Sequence, residues 1–287
     1  MLLSLCRAVA LPAILVVAAT LSGPGARAAS VDEGLRAARL GDYDRAVAEF
    51  RALADAGDAR AQFLLGLCYR QGKGVPPDPA TAARWFEKAA ASGDVDAQSA
   101  LGTMYLIGEG VAPEPERAFG LLSTAAAAGD RRAKFGLGVM YEAGLGRQAD
   151  IGKALDWYNA AADQGLIDAQ LALAQIYDAG QAVPRDLALA ARWYTRAANQ
   201  GNGRAQYGLG TMYLRGEGVA ADEIEAYKWF ALATASLPPG DEHDLAERGR
   251  SLVAGDLGAD RLAEAERRVT AFAPRLEFGE AATLEAP

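Results

Sequence analysis

The strongest constraint on the fold is a 36-residue period, which brings five segments of the chain into register. Each copy has an alanine, a leucine four residues later and a tyrosine eight residues later. These positions hold Ala61, Ala97, Ala133, Ala169 and Ala205; Leu65, Leu101, Leu137, Leu173 and Leu209; and Tyr69, Tyr105, Tyr141, Tyr177 and Tyr213. A spacing of four residues places all three on one side of an α-helix. The repeat therefore predicts a first helix, helix A, in every copy.

Small residues recur at fixed places in and after helix A. The position after the leucine is occupied by Gly66, Gly102, Gly138, Ala174 and Gly210, where a small side chain lets a neighbouring backbone approach closely. A loop with paired glycines follows, as in QGKGV at 71–75 and RGEGV at 215–219. No loop has the spacing of the GxxxxGK[ST] or GxGxxG phosphate-binding motifs. The glycines instead predict a turn between two antiparallel helices.

A second helix, helix B, is predicted after each loop. Its start is marked by acidic residues that complement the helix dipole, namely Asp78, Glu114, Asp150, Asp186 and Asp222. Its end is marked by glycines suited to a left-handed cap, namely Gly57, Gly93, Gly129, Gly165 and Gly201. All four tryptophans share one helix B position: Trp85, Trp157, Trp193 and Trp229. We interpret them as packing residues between stacked helices rather than as a ligand cage.

The ordered landmarks, typified by AQSALGTMYLIGEGV at 97–111 and WYTRAANQG at 193–201, resemble the Sel1-like repeat family, a relative of the tetratricopeptide repeat. The resemblance covers five repeats at 61–236. It implies an all-α fold, an α-solenoid in which antiparallel helix pairs stack into a right-handed superhelix, with a concave face that binds protein partners. Two residues depart from the pattern: Arg147 replaces a loop valine, and Ala182 replaces a loop glycine.

The flanking segments are predicted to close the array, because an end repeat has only one neighbour. Residues 31–60 resemble a tetratricopeptide-like N-terminal capping unit. Residues 237–273 are predicted to form a C-terminal helical cap with helices at about 241–253 and 259–272, the second burying Leu262, Ala265, Val269 and Phe272. Residues 274–287 are predicted to be a frayed tail.

The first 28 residues have the order of a secretory signal peptide: a cationic Arg7, an apolar stretch at 8–21 and the small-residue triplet at 26–28. The apolar stretch is shorter than the roughly 20 residues of a spanning helix, so an uncleaved anchor is the weaker interpretation. Later segments are not apolar for long enough to cross a bilayer. We therefore expect a periplasmic or secreted chain that begins near Ala29, without stable membrane insertion after signal removal.

The sequence offers little for catalysis. His243 is the only histidine, and Cys68 is the only cysteine beyond the predicted signal, too few for a typical zinc site. No HExxH or GxSxG element occurs. We therefore predict no catalytic residues, no metal and no cofactor. The net charge of −8 disfavours nucleic acid as a partner.

An enzyme remains the alternative to a non-enzymatic scaffold or regulator of the bacterial cell envelope. A cysteine-rich branch of the family that the sequence resembles is associated with binding or hydrolysing β-lactams, and it pairs cysteines within each repeat. Here the equivalent position holds Cys68, Met104, Met140, Ile176 and Met212. This composition predicts a hydrophobic packing site. The paired cysteines that would support a cell-wall or β-lactam hydrolase are therefore missing at this position.

A partner surface is predicted on the side of helix A opposite the alanine–leucine–tyrosine stripe. Its candidate residues vary between copies: Phe63, Leu67, Thr103, Phe135, Val139, Leu171, Gln175, Tyr207 and Thr211. The apolar members either anchor a protein partner or belong to a broad core, and the sequence leaves both open. Nearby charges alternate in sign as Arg60, Asp96, Arg132, Asp168 and Arg204, which predicts ion pairs between neighbouring copies.

Overall fold

The computed structural model describes residues 26–277, and this range contains fourteen helices and no strand. They are α1 (Ala26–Arg39), α2 (Tyr43–Asp55), α3 (Ala59–Gln71), α4 (Pro79–Ala91), α5 (Val95–Ile107), α6 (Pro115–Ala127), α7 (Arg131–Ala143), α8 (Ile151–Ala162), α9 (Ile167–Ala179), α10 (Leu187–Asn199), α11 (Gly203–Arg215), α12 (Glu223–Ser236), α13 (Asp241–Asp256) and α14 (Ala259–Thr270). The predicted all-α fold is confirmed. No helix in this range has the length and apolar character needed to span a bilayer. The signal prediction falls mostly on residues 1–25, outside the described range.

The chain divides into two compact units, which within the described range comprise residues 26–150 and 151–277. In the first unit, α1 to α7 pack each against the next in chain order. In the second unit, α8 to α13 do the same, and α14 packs against α12. Consecutive packing of short helices is the architecture of an α-solenoid. Helix A of the five copies corresponds to α3, α5, α7, α9 and α11, and helix B to α4, α6, α8, α10 and α12.

The predicted helix A stripe is confirmed for its alanines and leucines, all of which are at most 1% exposed. The tyrosines end the stripe at the edge of the core. Tyr105 is buried, whereas the other four are half-buried. Two of the phenol groups are anchored to the helix before helix A: Tyr105 donates to Glu87 of α4 at 2.7 Å, and Tyr69 accepts from Arg51 of α2 at 2.6 Å.

Local capping follows the sequence closely. Backbone N–H groups at the start of helix A donate to Asp58, Asp94, Asp130 and Asn202. Helix B is capped in the same way by Asp78, Asp186 and Asp222, while Glu114 makes no side-chain cap. The five predicted cap glycines adopt φ angles of 74° to 100°, as predicted. Each helix pair is therefore delimited by residues of its own copy.

A glutamine at the start of helix A ties it to the end of the preceding helix B. The Nε2 of Gln170 donates to the carbonyl of Ala162 at 3.1 Å, eight residues earlier. Gln62, Gln98 and Gln206 make the equivalent bond to the carbonyl eight residues earlier, at the end of the preceding helix. Gln170 is fully buried. A buried amide that is bonded to backbone fixes the angle at which the two helices meet.

Loop glycines bring neighbouring copies into close contact. Gly74, Gly110, Gly146 and Gly218 have φ angles of 65° to 72°, a conformation that L side chains rarely adopt. A β-carbon added to Gly110 would overlap the backbone of Pro79, at the start of helix B in the preceding copy. A β-carbon on Gly218 would overlap the Leu187 carbonyl in the same way. The loop therefore needs glycine both for its backbone angle and for its packing.

Copy 4 lacks this glycine, because Ala182 occupies the position. No residue other than glycine has a positive φ in the described range, so this loop takes a different path. A pocket of about 560 Å³ lies beside it, lined by Leu155, Val183 and Arg185 among others.

The C-terminal helices pack on the last repeat. Phe230 of α12 is 2% exposed and belongs to one cluster with Val253 and Leu257. On α14, Ala265 is fully buried, and Leu262 and Val269 pack partly buried against the same cluster. Together these residues cover the side of the last helix pair that has no further copy beside it.

The tryptophan prediction needs correction. Trp193 and Trp229 are buried, but Trp85 and Trp157 are only half-buried. The residue that follows each of these positions is the more deeply buried one: Phe86, Leu122, Tyr158, Tyr194 and Phe230 are between 0% and 6% exposed. Phe86 fills the space beside Gly66, where an added β-carbon would lie 2.6 Å from the ring. The helix B core is thus centred one residue after the tryptophan.

Candidate binding surface

The predicted surface on helix A separates into two rows with different burial. Phe63, Phe135 and Leu171 are 6%, 7% and 9% exposed and belong to the core. The prediction that they anchor a partner is therefore corrected. The ring of Phe63 packs on Phe86 with centroids 5.6 Å apart. Helix A buries these side chains because it is covered by helices on more than one side.

Tyr207 is the half-buried member of the first row. Its ring lies 5.8 Å from that of Phe230, measured between centroids. Part of the aromatic surface is therefore used for packing within the second unit, and the rest is accessible. Tyr207 remains a candidate contact residue on this basis.

The second row stays accessible. Leu67, Thr103, Val139 and Thr211 are half-buried, and Gln175 is exposed. The two threonine hydroxyls donate to carbonyls one turn earlier in their own helices, at 2.9 Å and 3.1 Å. This row therefore offers small side chains with partly satisfied polar groups. Their predicted role in partner binding remains a prediction.

The charge alternation forms an ion pair at its first step. Arg60 donates to Asp96 at 2.6 Å, with side chains 30% and 41% exposed. Arg204 instead pairs with Glu242 of α13 at 2.7 Å. Exposed pairs of this kind contribute about 0 to 1 kcal/mol each. The alternation is therefore a minor contribution to the stability of the array.

Groups suited to catalysis are scattered. Within residues 26–277, no three His, Cys, Asp or Glu side chains are grouped so as to hold a metal ion. His243 lies on α13, and its Nδ1 is 3.4 Å from the Asp244 carboxylate. The pair is formed by adjacent residues at the surface of the C-terminal cap.

The Cys68 position is a packing site, as predicted. Cys68 is 6% exposed, and Met104, Met140 and Met212 at the equivalent positions are between 0% and 3% exposed. Burial raises the pKa of the Cys68 thiol to about 11. The reactive thiolate is therefore strongly disfavoured in the folded chain.

We expect the Cys68 thiol to be almost unreactive in the native state. An increase of about two pKa units lowers the thiolate fraction at neutral pH roughly 100-fold. In a chain carrying Cys6→Ser, native protein should react with a thiol reagent such as DTNB at least about 100 times more slowly than urea-unfolded protein. Equal rates in the two states would contradict the burial of this residue.

Residues 274–287 were predicted to be a frayed tail. This prediction is wrong for 274–277, which pack against the second unit. The ring of Phe272 packs edge-on against Trp229, with centroids 5.5 Å apart. Pro274 covers Gly201, and the Arg275 N–H donates to the Asn199 carbonyl at 2.9 Å. The segment is neither helix nor strand, and it passes from copy 5 towards copy 4. Residues 278–287 are outside the described range.

The segment ends in a carboxylate contact that was not predicted from the sequence. Arg196 binds the Glu277 carboxylate with two nitrogens, Nε at 2.9 Å from Oε1 and NH2 at 2.6 Å from Oε2. Gln170 Nε2 donates to the same carboxylate at 2.8 Å. The Glu277 N–H donates to Gln200 Oε1 at 3.2 Å. The Arg196 guanidinium lowers the pKa of Glu277, which keeps it ionised at neutral pH.

A sequence signal for this site does exist. Copy 4 alone has both an arginine at position 196 and a glutamine at position 200. The equivalents of Arg196 in the other copies are Lys88, Thr124, Ala160 and Leu232. A polar pair present in one copy of a repeat is not required by the packing that all copies share. The departure of copy 4 from the repeat pattern at these two positions is therefore the sequence signal for this site.

Comparison with known proteins identifies the family. The Sel1 repeat model matches residues 59–94, 95–130, 131–166, 167–202 and 203–236, well over half of the chain. The chain belongs to the Sel1 repeat family. The matched boundaries coincide with the helix pairs α3 to α12. Comparison with curated protein sequences finds no match.

Solved structures show the same fold. A Sel1 repeat protein from Oxalobacter formigenes is 32% identical with a TM-score of 0.70, and the match covers 80% of this chain and 66% of that chain. The protein c5321 of uropathogenic Escherichia coli, a protective antigen with this fold, is 26% identical with a TM-score of 0.49, covering 86% and 68%. PA5086 of Pseudomonas aeruginosa is 20% identical with a TM-score of 0.50, covering 82% and 89%. The family model and the Oxalobacter formigenes structure establish the helical repeat architecture for this chain.

Proposed function

We propose that this chain is a non-enzymatic interaction scaffold, acting as an adaptor or regulator exported to the bacterial cell envelope. The observation that carries the proposal is the division of each helix pair into constant and variable positions. The alanine and leucine of helix A are buried in all five copies, while the partly exposed row from Leu67 to Thr211 changes side chain from copy to copy. Buried residues that are constant and surface residues that vary between copies suit the recognition of a protein partner whose side chains differ from one copy's contact to the next.

The scaffold proposal is tested by capturing partners with the full chain. A tagged chain, processed by the cell, is used to pull down proteins from an envelope fraction, with Val139→Arg as the surface variant and Arg192→Ala as a control at an exposed position. We expect one protein in stoichiometric amount with the unaltered chain and with the control. Val139→Arg should reduce its recovery at least about 10-fold, because a buried unpaired charge is costly at an interface. Absence of any stoichiometric protein would oppose the proposal.

Export is proposed from the order of the first 28 residues and has its own test. The chain is expressed with a C-terminal tag, the cells are fractionated, and the N-terminus of the recovered protein is sequenced. We expect a mature N-terminus near Ala29 in the periplasm or medium. Recovery from the cytosol with Met1 retained would overturn the proposal of export without affecting that of a scaffold.

A further inference from the structure

The carboxylate site on the second unit is built by the array itself. Arg196 NH2 donates to the Ala162 carbonyl at 3.0 Å, NH1 lies 3.3 Å from Asp163, and the guanidinium stacks on Trp193 at 4.7 Å. These contacts hold the guanidinium in place without the help of Glu277. A fork of donors with fixed geometry is the arrangement by which arginine recognises a carboxylate.

The amide groups beside Arg196 are also held by hydrogen bonds within the array. Gln170 and Gln200 are 0% and 7% exposed. Gln200 Nε2 donates to Gln170 Oε1 at 2.8 Å and to the Gly165 carbonyl at 3.3 Å. This leaves one Gln170 donor for a carboxylate and the Gln200 oxygen for a backbone N–H. Without a bound segment, the second Gln170 N–H and the Gln200 side-chain oxygen would be left without these hydrogen-bond partners, which is costly for buried amides.

Recognition of the bound segment is mostly independent of its side chains. The Arg275 and Glu277 N–H groups donate to Asn199 O and Gln200 Oε1. Side chains contribute at three places: the Phe272 ring on Trp229, the Pro274 ring over Gly201 and the Glu277 carboxylate on Arg196. Leu276 between them is 50% exposed. The surface therefore recognises a non-helical segment with an aromatic residue and, five positions later, an acid.

We propose that this surface of copies 4 and 5, formed by Trp229, Gly201, Asn199, Gln200, Gln170 and Arg196, binds a non-helical segment of a protein partner that carries an aromatic residue and, five positions later, an acid, and that residues 272–277 occupy it in the free chain. The proposal rests on the proposed scaffold function and specifies its partner chemistry. A tethered segment competes at an effective concentration in the millimolar range, so a partner must bind strongly enough to displace it. Residues 272–277 thereby set a minimum affinity that a partner needs in order to bind this surface.

The test uses a labelled peptide with the sequence of residues 270–277, acetylated and amidated so that the glutamate supplies its only carboxylate. Binding to the full chain is measured by fluorescence anisotropy. The Glu277→Gln chain should bind the peptide at least about 10 times more tightly than the unaltered chain, because its own tail is weakened. Adding Arg196→Ala to Glu277→Gln should weaken binding at least about 10-fold. Adding Arg192→Ala, an exposed arginine on the same helix, should leave it unchanged.

Two controls make the test decisive. A peptide with glutamine in place of its glutamate should bind the Glu277→Gln chain at least about 10 times more weakly. Hydrogen exchange of the segment 271–277 should be faster in the Glu277→Gln and Arg196→Lys chains than in the Arg192→Ala chain, with unchanged circular dichroism. Equal peptide affinity with and without Arg196, or equal exchange in all chains, would overturn the proposal. Loss of the stoichiometric partner from the unaltered chain would instead count against the scaffold function.

Discussion

Phe86→Ala is expected to destabilise the first unit by about 3 to 5 kcal/mol, the range for truncating a buried aromatic ring. Phe86 is fully buried, packs on the Phe63 ring and fills the space beside Gly66. Alanine would leave a cavity between helix A and helix B of copy 1, and neither backbone is free to collapse into it. The loss is measured by urea denaturation followed by far-ultraviolet circular dichroism.

Trp85→Ala provides the matched control, since Trp85 is the preceding residue of the same helix and has the larger side chain. It is half-buried, and its ring is covered on one side by Lys88 at 4.0 Å. We expect a cost of roughly 1 to 2 kcal/mol, about half of that for a fully buried large side chain. If Trp85→Ala cost as much as Phe86→Ala, the tryptophan row would be the core of helix B after all.

The comparison of these two residues shows what the repeat does and does not reveal. Ala82, Phe86 and Ala89 have the spacing i, i+4, i+7 of one helical face, so the sequence contains the correct stripe. Trp85 is offset from Phe86 by one residue and lies at the edge of that stripe. Its size and its recurrence in four copies favoured it as the buried residue. Periodicity identifies the face of a helix more reliably than the size of a side chain does.

Features that depend only on neighbouring residues were predictable. Cap residues such as Asp58 and Gly93 bond or turn within their own helix pair, and five copies repeat the evidence. Position 63 was ambiguous because its burial depends on how many helices surround helix A. A single repeat unit contains no information on that number, which is a property of the stacked array.

Only the Arg196 side of the carboxylate site has a signal in the sequence, because the site joins residues that are distant in the chain. Glu277 and Arg196 are 81 positions apart, and Glu277 lies in a segment with no repeat pattern. A polar tail rich in small residues reads as a disordered end. Only the packing of α14 on α12 places this segment beside copies 4 and 5.

The loop glycines give the second large effect, and Gly110→Ala is expected to cost about 2 to 5 kcal/mol. Alanine in a left-handed conformation costs roughly 1 to 2 kcal/mol. The added β-carbon would also overlap the backbone of Pro79 and Ala80, and overpacking adds about 1 to 3 kcal/mol. Backbone atoms cannot rotate away as a side chain does, so relief requires the loop to leave the preceding helix B.

Gly93→Ala separates the two contributions to the Gly110 effect. Gly93 has a φ of 86°, close to the 70° of Gly110, but no atom lies within 4 Å of its added β-carbon. It should therefore cost only the conformational strain, roughly 1 to 2 kcal/mol. The difference between the two variants in urea denaturation measures the contact between neighbouring copies. Because a repeat array is stabilised by nearest-neighbour interfaces, Gly110→Ala should also broaden the transition, while Gly93→Ala should shift it without broadening. Equal losses in the two variants would mean that the glycine is needed for its backbone angle alone, and that the loop contributes no packing between copies.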